Sequence, residues 1–461
     1  MALSDNDSFS HRFQQKGEKM NRTVFRDFSK YVSLNILGQL AYSCYTLADT
    51  FFVASDLGAD GLTALNLAFP VFCFMNGTGL MIGMGGGTRY SILKSRGASG
   101  AASRVFTNAV WLAAGFSALF VLLGMFGTGQ LVHLLGASPD IFVMTGTYLR
   151  VMLLFAPAFL ANSLLQCFIR NDGNPSLSMA AMITGSLSNV ILDYIFIFPL
   201  GMGIFGAILA TGLAPLISIA VLLPYLLRRK NQFHFIKSRP TLRTSAGIAS
   251  SGIPSFITEA SSGIVMLVFN FIILRLAGNT GVAAYGVIAA ISLVVVAIYT
   301  GLSQGIQPVI SRNYGAKNHE AVQSVLHYAL VTMLLLSGLI YALLFFNASP
   351  IVSAFNSEHN PALQTMAIQG LKLYFTACPF LGFNIVLATY LISTERPRPA
   401  QALSLLRGFF LIIPAAFLLS AVLKMTGVWC AFPATEFAVA VIGLILYLRR
   451  FLSSGPVETK S

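Results

Sequence analysis

Long uncharged, apolar runs alternate with short polar and basic segments along almost the whole chain. Residues 105–139, 194–227, 276–311 and 321–357 contain no Asp, Glu, Lys or Arg. A run of about 20 predominantly apolar residues is long enough to cross the hydrocarbon core of a bilayer as a helix. Each of these four runs is longer than one crossing needs, so the pattern predicts a protein with many transmembrane helices.

Glycines, prolines and charge clusters divide the apolar runs into twelve predicted helices. They lie near residues 31–55, 62–90, 104–126, 141–169, 176–198, 203–227, 248–276, 281–312, 321–346, 363–393, 399–423 and 427–448. The predicted fold class is therefore an all-α integral membrane protein with twelve transmembrane helices.

Composition supports this fold class and excludes the alternatives. Of the 461 residues, 56% are hydrophobic and only 10% are charged, and the mean hydropathy is +0.75. A soluble domain carries about 25% charged residues because water must wet its surface. A soluble enzyme and a disordered scaffold are both excluded, and we do not expect this chain to be an enzyme.

The distribution of basic residues predicts the orientation of the helices. With the N-terminus placed inside, the inside segments hold 24 Lys and Arg residues, and the outside loops hold only Arg275 and Lys424. Cytoplasmic loops of membrane proteins carry such an excess of basic residues. We therefore expect both termini to be cytoplasmic and the chain to lie in the cell (inner) membrane as a multi-pass protein. The formal net charge of +13 has the same origin, and no nucleic-acid partner is expected.

A long polar interruption, residues 228–246, lies at the middle of the chain and predicts two pseudo-symmetric six-helix lobes. The halves share weak repeats: Gly58 matches Gly278 at an offset of 220, and Gly83 matches Gly301 at an offset of 218. The N-terminus of each half is predicted to lie on the cytoplasmic side, as in the parallel repeats of some transporters. The predicted divisions are a cytoplasmic N-terminal segment 1–28, an N-lobe 29–227, a cytoplasmic linker 228–246, a C-lobe 247–450 and a cytoplasmic tail 451–461.

Four acidic residues fall inside predicted helices: Asp49, Asp193, Glu259 and Glu436. A charge at membrane depth is costly, so such residues usually face a cavity or a partner. The alternative to a functional role is a buried ion pair, and three basic residues inside the spans could provide one. These are Arg150, Lys372 and Arg407.

The fifth predicted helix carries the sharpest local pattern. Asn189 and Asp193 are four residues apart and share one helix face, with Ser186 one turn earlier. A carboxylate, an amide oxygen and a hydroxyl on one face suit a proton relay or a hard cation such as Na⁺. Thr211 in the sixth predicted helix could add another oxygen, although an isolated Thr often hydrogen-bonds its own helix.

The chain resembles the multidrug and toxic compound extrusion (MATE) family of secondary transporters over about residues 25–450. The segments that carry the resemblance are YTLADTFFVASDLGADGLTALNLAFPV (45–71), GGGTRYSILKSRGA (85–98), IRNDGNPSLSM (169–179), SNVILDYIFIFPLGMGIFGAILAT (188–211), SGIPSF (251–256) and GLSQGIQPVISRNYGA (301–316). Each segment alone is weak evidence for the resemblance, but the order and spacing of all six are specific to the family.

The resemblance implies two six-helix lobes that form a V, and export of cationic organic compounds in exchange for H⁺ or Na⁺. It also implies a cation-coupling site in the N-lobe, made of Asp49, Asn189, Asp193 and Thr211. Some members of the family couple through acids of the C-lobe. Glu259 is a possible acid of that kind, although it lies about one turn closer to the Gly-x-Pro than the family pattern expects.

A lipid-linked oligosaccharide flippase of the same wider superfamily is the alternative function. Such proteins resemble this architecture but need basic residues around the central cavity to hold pyrophosphate, and few candidates exist here. No cofactor is expected, and no metal beyond possible Na⁺ at the coupling site. The expected partners are small cationic or amphipathic substrates, H⁺ or Na⁺ and membrane lipid, with a monomer as the expected state.

Overall fold

The computed structural model describes residues 4–356 and 360–453, with side chains for residues 22–356 and 360–448. These residues form helices and connecting loops, and no strand occurs among them. The all-α fold predicted from the sequence is confirmed. Residues 1–3 of the predicted N-terminal segment and most of the predicted tail 451–461 lie outside the described residues.

The N-lobe contains six spans that follow one another along the chain. They are α1 (4–57), α2 (59–95), α3 (Ser99–Phe126), α4 (Pro139–Leu154 and Ala156–Asn171, bent by 48°), α5 (Pro175–Ile197) and α6 (Gly203–Leu227). Only the non-helical backbone of Gly58 (φ 61°) separates α1 from α2. A positive φ of this kind favours glycine, which has no Cβ to clash.

The C-lobe repeats this order. Its spans are α7 (242–277), α8 (279–315), α9 (His319–Phe346), α10 (Pro361–Tyr374, a 3₁₀ turn Phe375–Ala377 and Cys378–Ser393), α11 (Pro397–Leu405, a π-helical turn Leu406–Phe410 and 412–423) and α12 (425–453). Within the described residues the chain thus has the predicted twelve spans, once the helices are divided at Gly58, Gly278 and Lys424.

The two halves correspond at a shift of 220 residues up to the short helices before α4 and α10, and at a shift of 222 from α4 and α10 onward. Gly58 and Gly278 have the same φ of 61°, and α3 and α9 begin and end 220 residues apart. The short helices that precede α4 and α10, Thr128–Leu134 and Ala348–Phe355, also begin 220 residues apart. The sequence match of Gly83 with Gly301, at an offset of 218, is therefore two positions out of structural register.

Glycines bring the two lobes into backbone contact. A Cβ added at Gly301 would lie 2.5 Å from the Cα of Ile36, and one at Gly305 would lie 2.6 Å from the Cα of Val32. These contacts join the middle of α1 to the second half of α8. Glycines one turn apart on a helix allow this close approach of two backbones.

Ion pairs extend this contact at one end of the bundle, which we call the basic end. It carries the loops at 96–98, 172–174, 228–241, 316–318 and 394–396. Arg96, directly after α2, lies 2.6 Å from Glu395 before α11, and Arg312 of α8 lies 2.5 Å from Asp27 of α1. The lobes are therefore held together at the basic end.

Residues 228–241, between the lobes in sequence, pack on the N-lobe. Phe233 is fully buried, with its ring centroid 4.6–5.8 Å from those of Phe106, Phe168 and Tyr90. The backbone N–H of Gln232 donates to Asp172 Oδ2 at 3.0 Å. The helix α7 begins at Leu242, within the segment that the sequence suggests as a linker.

Candidate functional site: a buried carboxyl pair beside a cavity between the lobes

The local sequence of α5 positions its polar face against neighbouring helices. Asn174 caps the helix by accepting from the N–H of Leu177 at 3.3 Å, and Pro175 occupies the first turn, where its missing N–H is not needed. Gly185 brings α5 against α6, because a Cβ there would lie 3.3 Å from the carbonyl oxygen of Ala214. This packing buries the face that carries Asn189 and Asp193.

Asp49 of α1 and Asp193 of α5 come together as a buried carboxyl pair. Asp49 is 6% exposed and Asp193 is 0% exposed, and their carboxyl groups lie within hydrogen-bonding reach of each other. The other oxygen of each group, Oδ1, has no hydrogen-bond partner. Among the described side chains, no basic group pairs with either acid.

A cation or a proton would stabilise the contact between the Asp49 and Asp193 carboxyl groups. Two ionised carboxylates in contact repel each other strongly where little water is present. A proton shared between them, or a small cation between them, removes that repulsion. The pair is therefore chemically suited to bind H⁺ or a hard cation.

Asn189 links the carboxyl pair to α6. With its amide oriented so that both ends are paired, Nδ2 donates to Asp193 Oδ2 at 3.0 Å and the amide oxygen accepts from Thr211 Oγ1 at 3.2 Å. The Thr211 N–H lies 3.3 Å from the same oxygen. The structure thus brings together all four residues that the family resemblance implies for the N-lobe site.

A cavity of about 120 Å³, which we call the central cavity, adjoins this cluster. Thr211 lines it, and so does Tyr45, one turn before Asp49 on α1. The C-lobe contributes Glu259 and Gln304 to its wall. Thr211 therefore connects the carboxyl pair to a space that both lobes enclose.

Glu259 lies apart from the carboxyl pair. It accepts from Asn76 Nδ2 of the N-lobe at 3.3 Å and has no ion-pair partner among the described side chains. Gly77 allows this approach, because a Cβ there would lie 3.1 Å from the Cβ of Glu259. Glu259 is thus a second unpaired acid, at the lobe interface.

The fourth acid in the spans, Glu436, has a basic partner. Arg407 Nε donates to Glu436 Oε1 at 2.5 Å, and Asn384 Nδ2 donates to Glu436 Oε2 at 2.7 Å. This is the buried ion pair that the sequence left open as an alternative to function. It does not extend to Glu259, Asp49 or Asp193.

Arg170 is a central residue that sequence reasoning missed. The sequence suggested an inside loop, but Arg170 is 1% exposed in the last turn of α4. Its Nη1 donates to Asn35 Oδ1 of α1 at 2.9 Å and to Gln304 Oε1 of α8 at 2.7 Å. A buried guanidinium therefore joins three helices across the lobe interface. The only signal in the sequence was a basic residue next to a helix end.

A metal centre of the usual kind does not occur in the described residues. No group of three or more His, Cys, Asp or Glu side chains converges there. The five cysteines are free thiols. The oxygen atoms around Asp49 and Asp193 are the donors available for a small cation.

Fold and site together define a helical membrane protein whose two six-helix lobes enclose a polar cavity beside a buried carboxyl pair. In the part of the chain that the structure describes, nine apolar segments are long enough to cross a membrane, counting the bent α4 as one. Three of them are divided in two by non-helical backbone. The chain belongs to the MatE family, whose sequence model matches residues 35–195 and 254–418.

Relatives of known function cover almost the whole chain. The multidrug export protein MepA of Staphylococcus saprophyticus is 27% identical over 433 residues, which are 93% of this chain and 94% of that protein. MepA of Staphylococcus aureus is 25% identical over 430 residues, with the same coverage.

Solved structures share the fold. An outward-facing multidrug resistance MATE transporter superimposes with a TM-score of 0.87 at 21% identity, covering 93% of this chain and 96% of that one. The Vibrio cholerae MATE transporter VcmN gives a TM-score of 0.86 at 19% identity, covering 94% and 98%. The predicted V-shaped fold class is thereby confirmed.

Proposed function

We propose that this protein is a secondary active exporter of cationic organic compounds, driven by exchange for H⁺ or Na⁺. One observation carries the proposal: Asp49 and Asp193 are buried in contact with each other, without a basic partner, beside a cavity that both lobes line. The MepA relatives are multidrug export proteins, and this similarity supports the substrate class.

In this mechanism the inorganic cation and the drug compete through charge. When H⁺ or Na⁺ occupies the site of Asp49, Asn189, Asp193 and Thr211, the carboxyl pair carries less negative charge and attracts a cationic drug less strongly. Cation binding therefore favours release of the drug. Exchange follows if the two ligands also favour opposite conformations of the lobes.

The conformation of the lobes fits one stage of such a cycle. We propose that the basic end faces the cytoplasm, in the inner membrane, because basic loops are retained there. Closure at that end by Arg96–Glu395 and Arg312–Asp27 then corresponds to an outward-facing state. In our proposal 29–227 and 247–450 move as the two lobes of a monomer, and most of the linker moves with the N-lobe.

The flippase alternative finds less support. Arg170 lines the central cavity but donates to Asn35 and Gln304, and Arg407 is neutralised by Glu436. Glu259 adds negative charge to the same wall. A pyrophosphate carrier needs a net positive cavity. Loss of a flippase would produce a glycan or cell-wall defect, whereas loss of an exporter would produce drug hypersensitivity.

The experiment measures ethidium uptake into everted membrane vesicles that contain either wild type or Asp193→Asn. A pH gradient and a Na⁺ gradient are imposed separately, which identifies the driving ion. We expect Asp193→Asn to abolish gradient-driven transport, since an amide neither exchanges a proton nor supplies a second carboxylate. Asp56→Asn is the matched control, because Asp56 is an exposed acid on the same helix as Asp49.

Membrane levels of each variant are measured in parallel by immunoblot. If Asp193→Asn is present at a normal level and transports ethidium at the rate of wild type, the mechanism is contradicted. Transport by wild type that responds to neither gradient contradicts exchange altogether.

A further inference from the structure

A second cavity, of about 80 Å³, lies within the C-lobe next to α2, and we call it the C-lobe cavity. Its wall is rich in polar side chains from α7, α8, α10 and α11. They include Ser255, Glu259, Ser303, Asn384, Ser404 and Arg407. Glu259 also lines the central cavity, so this residue stands between the two spaces.

Arg407 is held rigidly at this wall. It lies in the π-helical turn Leu406–Phe410 of α11, a type of distortion that is frequent at functional sites. Its Nε donates to Glu436, and Asn384 fixes the other oxygen of Glu436. The guanidinium is therefore oriented by a carboxylate that is itself buried.

The terminal nitrogens of Arg407 have no hydrogen-bond partner among the described residues. The side chain is 17% exposed although it belongs to a buried ion pair. The two terminal NH₂ groups are thus available as donors to a ligand in the C-lobe cavity. A guanidinium fork of this kind matches the two oxygens of a carboxylate.

An acidic group lies on the same wall. Gly408 brings α11 against α7, because a Cβ there would lie 2.7 Å from Ser261 Oγ. Ser261 is two residues after Glu259 on α7. That contact fixes α11 on α7 but does not itself place Glu259, which points to another side of α7. Glu259 and Arg407 come together because both line the C-lobe cavity.

We propose that the C-lobe cavity is an anion subsite in which Arg407 binds the carboxylate of a zwitterionic substrate, with the cationic part of that substrate near Glu259. The inference rests on the proposed export function and deepens it by naming the groups of a substrate that this cavity would recognise. Arg407 is then a residue that determines specificity.

The charges of the cavity favour a zwitterion over a simple anion. Arg407 and Glu436 neutralise each other, and Glu259 leaves one negative charge. A simple anion would add a second uncompensated negative charge in a region with little water, which is costly. A zwitterion leaves the net charge unchanged and places each of its groups beside an opposite charge.

The experiment measures binding of two fluorescent dyes to the purified full-length protein by anisotropy. Rhodamine B carries a cationic ring system and a carboxylate, and its ethyl ester carries only the cationic charge. The test variant combines Arg407→Gln with Glu436→Gln, which removes the ion pair without leaving one charge buried. Arg275→Gln is the matched control, since Arg275 is an exposed C-lobe arginine that stacks on Phe271.

We expect the double variant to bind rhodamine B about tenfold more weakly or worse, because a charge-assisted hydrogen-bond pair is lost. Its affinity for the ethyl ester changes by much less, and Arg275→Gln leaves both affinities unchanged. Arg407→Lys retains the charge opposite Glu436 but not the fork, so it also loses affinity for rhodamine B. This second variant provides the test if the double variant fails to fold.

Equal losses for the dye and its ester overturn the subsite, as do unchanged affinities for both. Wild-type protein that binds only the ester overturns it as well. Ethidium export by wild type is measured separately and reports on the proposed function. The subsite can therefore fail while export stands, and export can fail while the subsite stands.

Discussion

The contact of α1 with α8 predicts the effect of a single methyl group on the position of the lobes. In Gly305→Ala the new Cβ would lie 2.6 Å from Val32 Cα, 2.9 Å from Val32 N and 3.0 Å from the carbonyl carbon of Tyr31. All three are backbone atoms, so a side-chain rotation cannot relieve the overlap. The two helices must separate, which disfavours the state closed at the basic end.

The magnitude follows from the cost of overpacking. An extra carbon in a closely packed interior costs about 1–3 kcal/mol. If the open state does not contain this contact, the ratio of closed to open molecules falls by about 5–150-fold. Gly338→Ala is the control, because no atom lies within 4 Å of its added Cβ.

Cross-linking across the basic end measures this ratio. Arg96→Cys and Glu395→Cys replace an exposed ion pair that joins the lobes, in a protein whose native cysteines are changed to serine. We expect a short bifunctional thiol reagent to link this pair much more slowly after Gly305→Ala and at an unchanged rate after Gly338→Ala. Equal linking rates for the glycine variant and its parent would refute the packing argument.

Two further predictions concern the linker and the coupling site. Phe233→Ala should lower the free energy of unfolding by about 3–5 kcal/mol, the range for a buried aromatic ring, and lower Tm in detergent. Phe235→Ala, at a side chain that is 56% exposed, should leave Tm nearly unchanged. Thr211→Val should raise the H⁺ or Na⁺ concentration for half-maximal transport about fivefold through one lost hydrogen bond. Thr211→Ser should retain the wild-type dependence.

The sequence predicts the spans well because lipid imposes a simple constraint. Each crossing needs an apolar helix of nearly fixed length, so breaks such as Gly58 and Gly278 are visible in the chain. The face shared by Asn189 and Asp193 follows from helix periodicity alone. The proximity of Asp49 does not follow from periodicity, and the resemblance to a family supplied it.

The sequence alone does not predict which side chains contact each other when they are far apart in the chain. Arg170 looks like a loop residue because Asn171, Asp172 and Gly173 follow it, while its partners lie more than 130 residues away in sequence. The sequence allows several ion pairs among the acidic and basic residues of the spans, and Arg407 with Glu436 is one of them. The attachment of 228–241 to the N-lobe depends on Phe233, whose pocket is formed by rings from three different helices.

The most direct test of the carboxyl pair is ion release on drug binding. Ethidium is added to purified protein in weakly buffered detergent solution, and H⁺ and Na⁺ are followed with an indicator dye and a sodium electrode. We predict that wild type releases one of these ions as ethidium binds, and that Asp49→Asn combined with Asp193→Asn abolishes the release. Ethidium binding to wild type without release of either ion, or equal release from the double variant, would contradict the account.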